Sequence, residues 1–126
     1  MSQEETIKKL LKDTIGRRKK IFISSLADLE GRKIKLAHKD RTFTAGMIRS
    51  IMRRTPSVKE AAAEYARIFT KGSPVLIIEW TGRSFTIDNL KEQISESFKV
   101  EPLELNVIKE QGYRKLVALK AKVKTA

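Results

Sequence analysis

Apolar positions change period several times along the chain, and each change marks an element. Ile7, Leu10, Leu11 and Ile15 fall at i, i+3, i+4 and i+8, which predicts an amphipathic helix over 6–15. Glu4 and Glu5 precede it, where negative charge suits the positive end of a helix, and Gly16 is placed to cap its end. Ile21, Phe22, Ile23, Leu26 and Leu29 form an apolar cluster that Gly31 closes. Lys33 to His38 then alternates, predicting a strand with Ile34 and Leu36 inward. Lys39-Asp40 reads as a turn and Thr42-Phe43-Thr44 as a short return strand. Met47, Ile48, Ile51 and Met52 form a helical stripe, with Arg49 and Arg53 on the opposite face and Arg54 beside them. Pro56 ends that helix and opens another, capped by Thr55 or Ser57. Its buried stripe is Val58, Ala61, Ala62, Tyr65, Ile68 and Phe69, and Gly72 terminates it.

From Ser73 the pattern changes. Val75-Leu76-Ile77-Ile78 is a continuous branched and aliphatic run, short enough for a central strand buried on both faces, and Thr81-Gly82 ends it. Thr86 reads as an N-cap, with Phe85 before it and Leu90 placed to staple the helix start. Ile87, Leu90, Ile94 and Phe98 give that helix its buried face. Leu103, Leu105 and Val107 alternate in a strand, Gln111-Gly112 turns, and a long final strand runs over 113–123. There Val117, Leu119, Ala121 and Val123 face the core, while Arg114, Lys120, Lys122 and Lys124 face the other way, with Leu116 and Ala118 between.

These elements predict an α+β fold: a small, mostly antiparallel sheet with helices packed on one face. At 126 residues the chain has the size of a single compact domain. Residues 1–20 form its N-terminal helix and basic run, and 73–126 its strand–helix–hairpin half. No apolar run approaches the roughly 20 residues that span a bilayer. The start lacks the cationic-then-apolar order of a signal peptide, and cysteine is absent, which suits a reducing cytoplasm. Amides are scarce, with two Asn and three Gln against 27 Lys plus Arg, a balance of the kind seen in hyperthermophile proteins.

Charge alters the picture most. The formal net charge is +12, and it is concentrated. Residues 32–59 hold Arg32, Lys33, Lys35, Lys39, Arg41, Arg49, Arg53, Arg54 and Lys59 against one acid, Asp40, and Arg17, Arg18, Lys19 and Lys20 stand consecutively upstream. Local charge of this density calls for a polyanionic partner, most often nucleic acid. On the final strand Lys120, Lys122 and Lys124 share one face at about 7 Å spacing, near that of successive backbone phosphates. Phe43, Trp80 and Tyr113 stand at strand ends near cations, where a ring can stack on a base.

Catalytic chemistry has thinner support. His38 is the single histidine, too little for a metal site, and no Ser or Cys neighbours it to form a nucleophilic pair. Asp40, Glu79 and Asp88 are the acids a fold would have to bring together to hold magnesium, and no spacing argues for it. The six glycines are isolated, so no phosphate-binding loop is present. The helix pair around Pro56 puts Glu60 and Glu64 where a groove-reading helix needs polar or cationic side chains. The expectation is therefore a non-catalytic nucleic-acid-binding protein without metal or cofactor. It would contact mainly the phosphate backbone, with RNA favoured over single-stranded or duplex DNA and the ribosome a natural partner. The alternative partner for the basic block is an acidic protein surface.

Overall fold

The computed structural model describes residues 2–23, 39–49, 64–97 and 100–124. Helix α1 (Gln3–Ile15) forms where the periodicity predicts it. The Ser2 hydroxyl accepts from the Glu5 N–H at 3.2 Å, and Glu4 and Glu5 occupy the first turn. Gly16 closes the helix at φ +57°, its N–H donating to the Lys12 carbonyl. A left-handed φ of this kind is open to glycine without a Cβ clash.

Five strands follow: β1 (Ile21–Ile23), β2 (Ala45–Arg49), β3 (Pro74–Thr81), β4 (Val100–Gln111) and β5 (Arg114–Val123), with α2 (Ile87–Ser97) between β3 and β4. A helical segment at 64–68 leads towards β3. The sheet order is β1-β2-β3-β5-β4. β1 pairs parallel with β2 and β2 with β3; β5 runs antiparallel between β3 and β4. The sheet is therefore mixed, with a parallel half, and not mostly antiparallel as the sequence suggested. Parallel pairing needs long crossovers, and the stretches between β1, β2 and β3 provide them.

Helices lie on both faces, a second departure from expectation. Under α1, Ile7 packs with Met47, Leu76, Ile78, Leu116 and Ala118, and Leu10, Leu11 and Trp80 join them. On the opposite face Leu90 and Ile94 of α2 and Tyr65 and Ile68 of the 64–68 segment pack with Phe22, Ile48, Val75, Ile77, Val117, Leu119, Ala121 and Val123. β3 is buried on both sides, with Val75 to Ile78 each at 2% exposure or less. That matches its continuous apolar run; β5 turns Val117, Leu119, Ala121 and Val123 to the predicted face, but Leu116 and Ala118 on the other face are buried as well, in the layer under α1.

Met47 to Arg49 form part of β2, not of a helix. A strand covered on both faces carries adjacent apolar residues, and a short apolar run of this kind has no period that separates it from a helix. Phe43 makes one parallel bridge to Phe69 and no strand of its own, because Ala45 is where pairing with β1 begins. The predicted strand over 33–38, Leu26, Leu29, Ile51, Met52, the helix start near Pro56, and Phe98 lie outside the described residues. β4 is an edge strand whose register shifts at Pro102/Glu104 and Val107/Lys109, and Leu103 and Val107 are 60% and 44% exposed. Such bulges make an edge a poor template for further strand pairing.

Gly46 has a packing role that isolated-glycine reasoning missed. A Cβ built there would lie 2.6 Å from Phe69 Cζ and 2.8 Å from the Phe22 carbonyl oxygen. The Phe69 ring rests on bare strand and joins Phe22, Phe43 and Tyr65, with ring centroids 5.2–6.3 Å apart in the contacting pairs. Gly46→Ala is expected to destabilise the fold by about 1–3 kcal/mol, the usual cost of overpacking, read as a lower urea midpoint at unchanged slope. A midpoint equal to wild type would show that the ring has room to move.

Candidate functional site

Because β1, β2 and β3 run parallel, their carboxyl ends point to one edge, though in steps: Ile23 is level with Met47 and Leu76, Arg49 with Ile78, and β3 runs on to Thr81. The β4–β5 turn lies at this same edge, since Thr81 is opposite Lys115 and Gln111 opposite Arg114. In open α/β sheets ligands sit outside the carboxyl ends of the strands. This edge is therefore the candidate site.

Three groups stand at its β1–β2 side. Ile23 is 55% exposed. Arg49 meets Glu4 at the start of α1, with N–O distances of 3.2 and 3.5 Å. Their side chains are 34% and 61% exposed, so the pair is anchored and still open to solvent. At the β3 side, the Gly82 N–H donates to the Phe85 carbonyl at 2.8 Å and turns the chain towards α2. Thr86 and Asn89 cap that helix reciprocally: the Asn89 N–H donates to the Thr86 hydroxyl at 3.1 Å, and the Asn89 amide oxygen accepts from the Thr86 N–H at 3.0 Å. Ser84, Phe85, Asn89, Glu92 and Gln93 line a cavity of about 340 Å³ at this corner. Glu79, two residues before the end of β3, is fully buried, and its carboxylate accepts the Trp80 N–H at 3.3 Å.

Beyond Gly82 two guanidinium groups lie on aromatic rings. Arg83 stacks 3.5 Å from the centroid of Tyr113, and Arg114 lies 4.8 Å from that of Trp80. Tyr113, in the hairpin turn, is 71% exposed.

The cations named from the sequence do not form one patch. Arg49 is at the carboxyl edge. Arg17, Arg18, Lys19 and Lys20 are exposed between α1 and β1, and Lys39 and Arg41 precede β2; all belong to the opposite, amino edge. The length of β3 separates the two edges, eight residues or roughly 25 Å. Lys122 and Lys124, at the end of β5, are exposed at the amino edge too, whereas Lys120 reaches Glu104 at 3.6 Å. Arg32, Lys33, Lys35, Arg53 and Arg54 lie outside the described residues. Asp40 pairs with Arg67 at 2.7 Å, and Glu64 joins them. Hydrogen bonds from Glu64 and then Asp40 raise the Arg67 pKa, which keeps that group charged.

Of the three aromatic candidates, Phe43 is committed to the core cluster, Trp80 packs against the α1 layer beneath Arg114, and Tyr113 alone is well exposed. The acids weighed for magnesium are dispersed: Asp40 is at the amino edge, Asp88 in the first turn of α2, and Glu79 inside. Among the described residues no three His, Cys, Asp or Glu gather to hold a metal ion. Nor is any described helix long and apolar enough to cross a membrane. Sequence reasoning passed over Arg83 and took Arg114 only as an outward cation of the final strand; the available signal was an aromatic at the end of one strand and a Tyr-Arg pair at the start of another.

No protein-family model matches the chain, and no curated protein matches it in sequence. Solved structures do match in fold. Burkholderia thailandensis 1,6-didemethyltoxoflavin-N1-methyltransferase, with bound 1,6-didemethyltoxoflavin and S-adenosylhomocysteine, superposes with TM-score 0.75 at 11% identity, over 99% of this chain and 79% of that one. A SAM-dependent methyltransferase from Methanosarcina mazei gives 0.60 at 13% identity, over 73% and 64%. The 4+2 cyclase SpnF gives 0.56 at 13%, over 73% and 53%. The chain thus spans less than two thirds of the length of these last two proteins.

The chain shares the fold of these proteins, two of which are methyltransferases and one a cyclase. This overturns the expectation of a non-catalytic nucleic-acid binder, whether for RNA, for DNA or as an acidic-surface module, and with it the ribosomal and thermophilic assignments. Charge density had suggested a partner, but it carried no information about sheet order. The matched proteins that share this architecture are enzymes by name, and in this chain most of the described cations lie away from the carboxyl edge.

Replacing Thr86 by Ala removes one half of the reciprocal cap beside the cavity. A loss of about 1 kcal/mol in unfolding free energy is expected, measured by urea titration. An unchanged value would mean that water replaces the hydroxyl at no cost.

Proposed function

We propose that the chain is a methyltransferase-fold enzyme domain that takes S-adenosyl-L-methionine at the carboxyl edge of β1–β3. The observation that carries this reading is the sheet itself: three parallel strands ending at one edge, with an antiparallel hairpin strand inserted beside β3. It is shared over 99% of the chain with a methyltransferase that holds S-adenosylhomocysteine.

The residues present fit that group in kind. Its amino-acid carboxylate calls for a cation, its ribose hydroxyls for a carboxylate acceptor, and its adenine for an apolar surface. Arg49, Glu4 and Ile23 supply one of each at the β1–β2 side, and the observed Glu4–Arg49 pair keeps the first two in position. When bound, the group would supply an electrophilic methyl on a sulfonium. The stretch after β1, residues 24–38, contains one glycine, Gly31. Side-chain contacts therefore carry more of the binding than a glycine-rich turn would. Arg49 orients the carboxylate by charge-assisted hydrogen bonding, worth about 1.5–3 kcal/mol.

Calorimetry with S-adenosyl-L-homocysteine tests this. Saturable one-site binding is expected, weakened about tenfold or more by Arg49→Ala, as loss of one such bond implies. The variant should stay folded, because an exposed ion pair contributes at most about 1 kcal/mol. Absence of heat with the wild-type protein at millimolar ligand would overturn the reading.

A further inference from the structure

Arg83 and Arg114 are the two arginines at the carboxyl edge that the cofactor reading leaves unused, with Lys109 and Lys115 nearby on the hairpin. We infer that together they form an anion site for a phosphoryl group, which, on the methyltransferase reading, belongs to the methyl-accepting substrate. Two different rings hold the pair, Tyr113 under Arg83 at 3.5 Å and Trp80 near Arg114 at 4.8 Å. They are neighbours through the backbone, because Tyr113 and Arg114 are consecutive and Arg83 follows Gly82, beside which the Arg114 side chain runs. A Cβ on Gly82 would meet Arg114 Cγ at 3.8 Å.

The ring contact matters because a guanidinium held over an aromatic face keeps its N–H donors unspent. It is then ordered before a ligand arrives and can bind an oxyanion through paired hydrogen bonds. Among the described residues no carboxylate is ion-paired with either arginine. The nearby acid Glu110 is engaged by Lys115 at 3.7 Å. Two unneutralised forks match a dianionic phosphoryl or diphosphate group better than a single carboxylate.

Trp80 is the only tryptophan, so its fluorescence reports on this place alone. Inorganic pyrophosphate titrated at constant ionic strength should give a saturable change, confirmed by calorimetry. Arg83→Gln and Arg114→Gln should each weaken binding about tenfold, while Lys19→Gln and Lys122→Gln, at the amino edge, should leave it within about twofold. Equal weakening by all four variants would show diffuse surface charge, and unchanged affinity in Arg83→Gln and Arg114→Gln would place the anion elsewhere; either overturns the site. S-adenosyl-L-homocysteine binding, measured in the same two variants, should match the wild type. Pyrophosphate bound through these arginines by a protein that fails to bind S-adenosyl-L-homocysteine would uphold the anion site and sink the cofactor reading alone.

Discussion

Burial of β3 on both faces is the constraint on which the rest depends. Its run Val75 to Ile78 has no side that tolerates water, so one layer must come from α1 and the other from α2 and the 64–68 segment. Its hydrogen-bonding edges must also be occupied, by β2 on one side and β5 on the other. A strand covered in this way is favoured at the centre of an α/β sheet. Once it is there, β1 and β2 extend the parallel half and the hairpin closes the other side.

That arrangement divides the surface into two edges of different make-up. All three parallel strands deliver their last residues to one edge, together with the start of α1, the start of α2 and the hairpin turn. Backbone groups at helix starts and strand ends are only partly used, which is why such edges host ligands. The opposite edge receives the basic linker between α1 and β1 and the end of β5. Cations that lie close in sequence, such as Arg41 and Arg49, are carried apart by the length of a strand.

Side-chain packing then sets what each edge can hold. On the amino side, Phe69 lies on the bare backbone of Gly46 and fixes Phe43 near the aromatic cluster, so a ring that could have served as a base platform is consumed by the core. On the carboxyl side, Trp80 and Tyr113 remain near enough to solvent for arginines to stack on them. Similar aromatic–cation neighbours in the sequence thus end with opposite uses. The difference is depth relative to the two helical layers.

Local physics was legible without coordinates. The helix caps at Gly16 and Thr86, the buried run of β3, the hairpin turn at Gly112 and the inward face of β5 all follow from interactions within a few residues of chain. Backbone conformation and side-chain alternation there have one low-energy solution. Strand direction, sheet order and the second helical layer did not follow. They depend on contacts between segments such as Ala45–Arg49 and Pro74–Thr81, far apart in sequence, and a short apolar run such as Met47-Ile48 is equally compatible with helix or buried strand. The same holds for the site. Composition showed that the chain is strongly cationic, but only the tertiary structure decided which cations meet an acid, which stack on rings and which edge each occupies, because charge acts through distance in space and not along the chain.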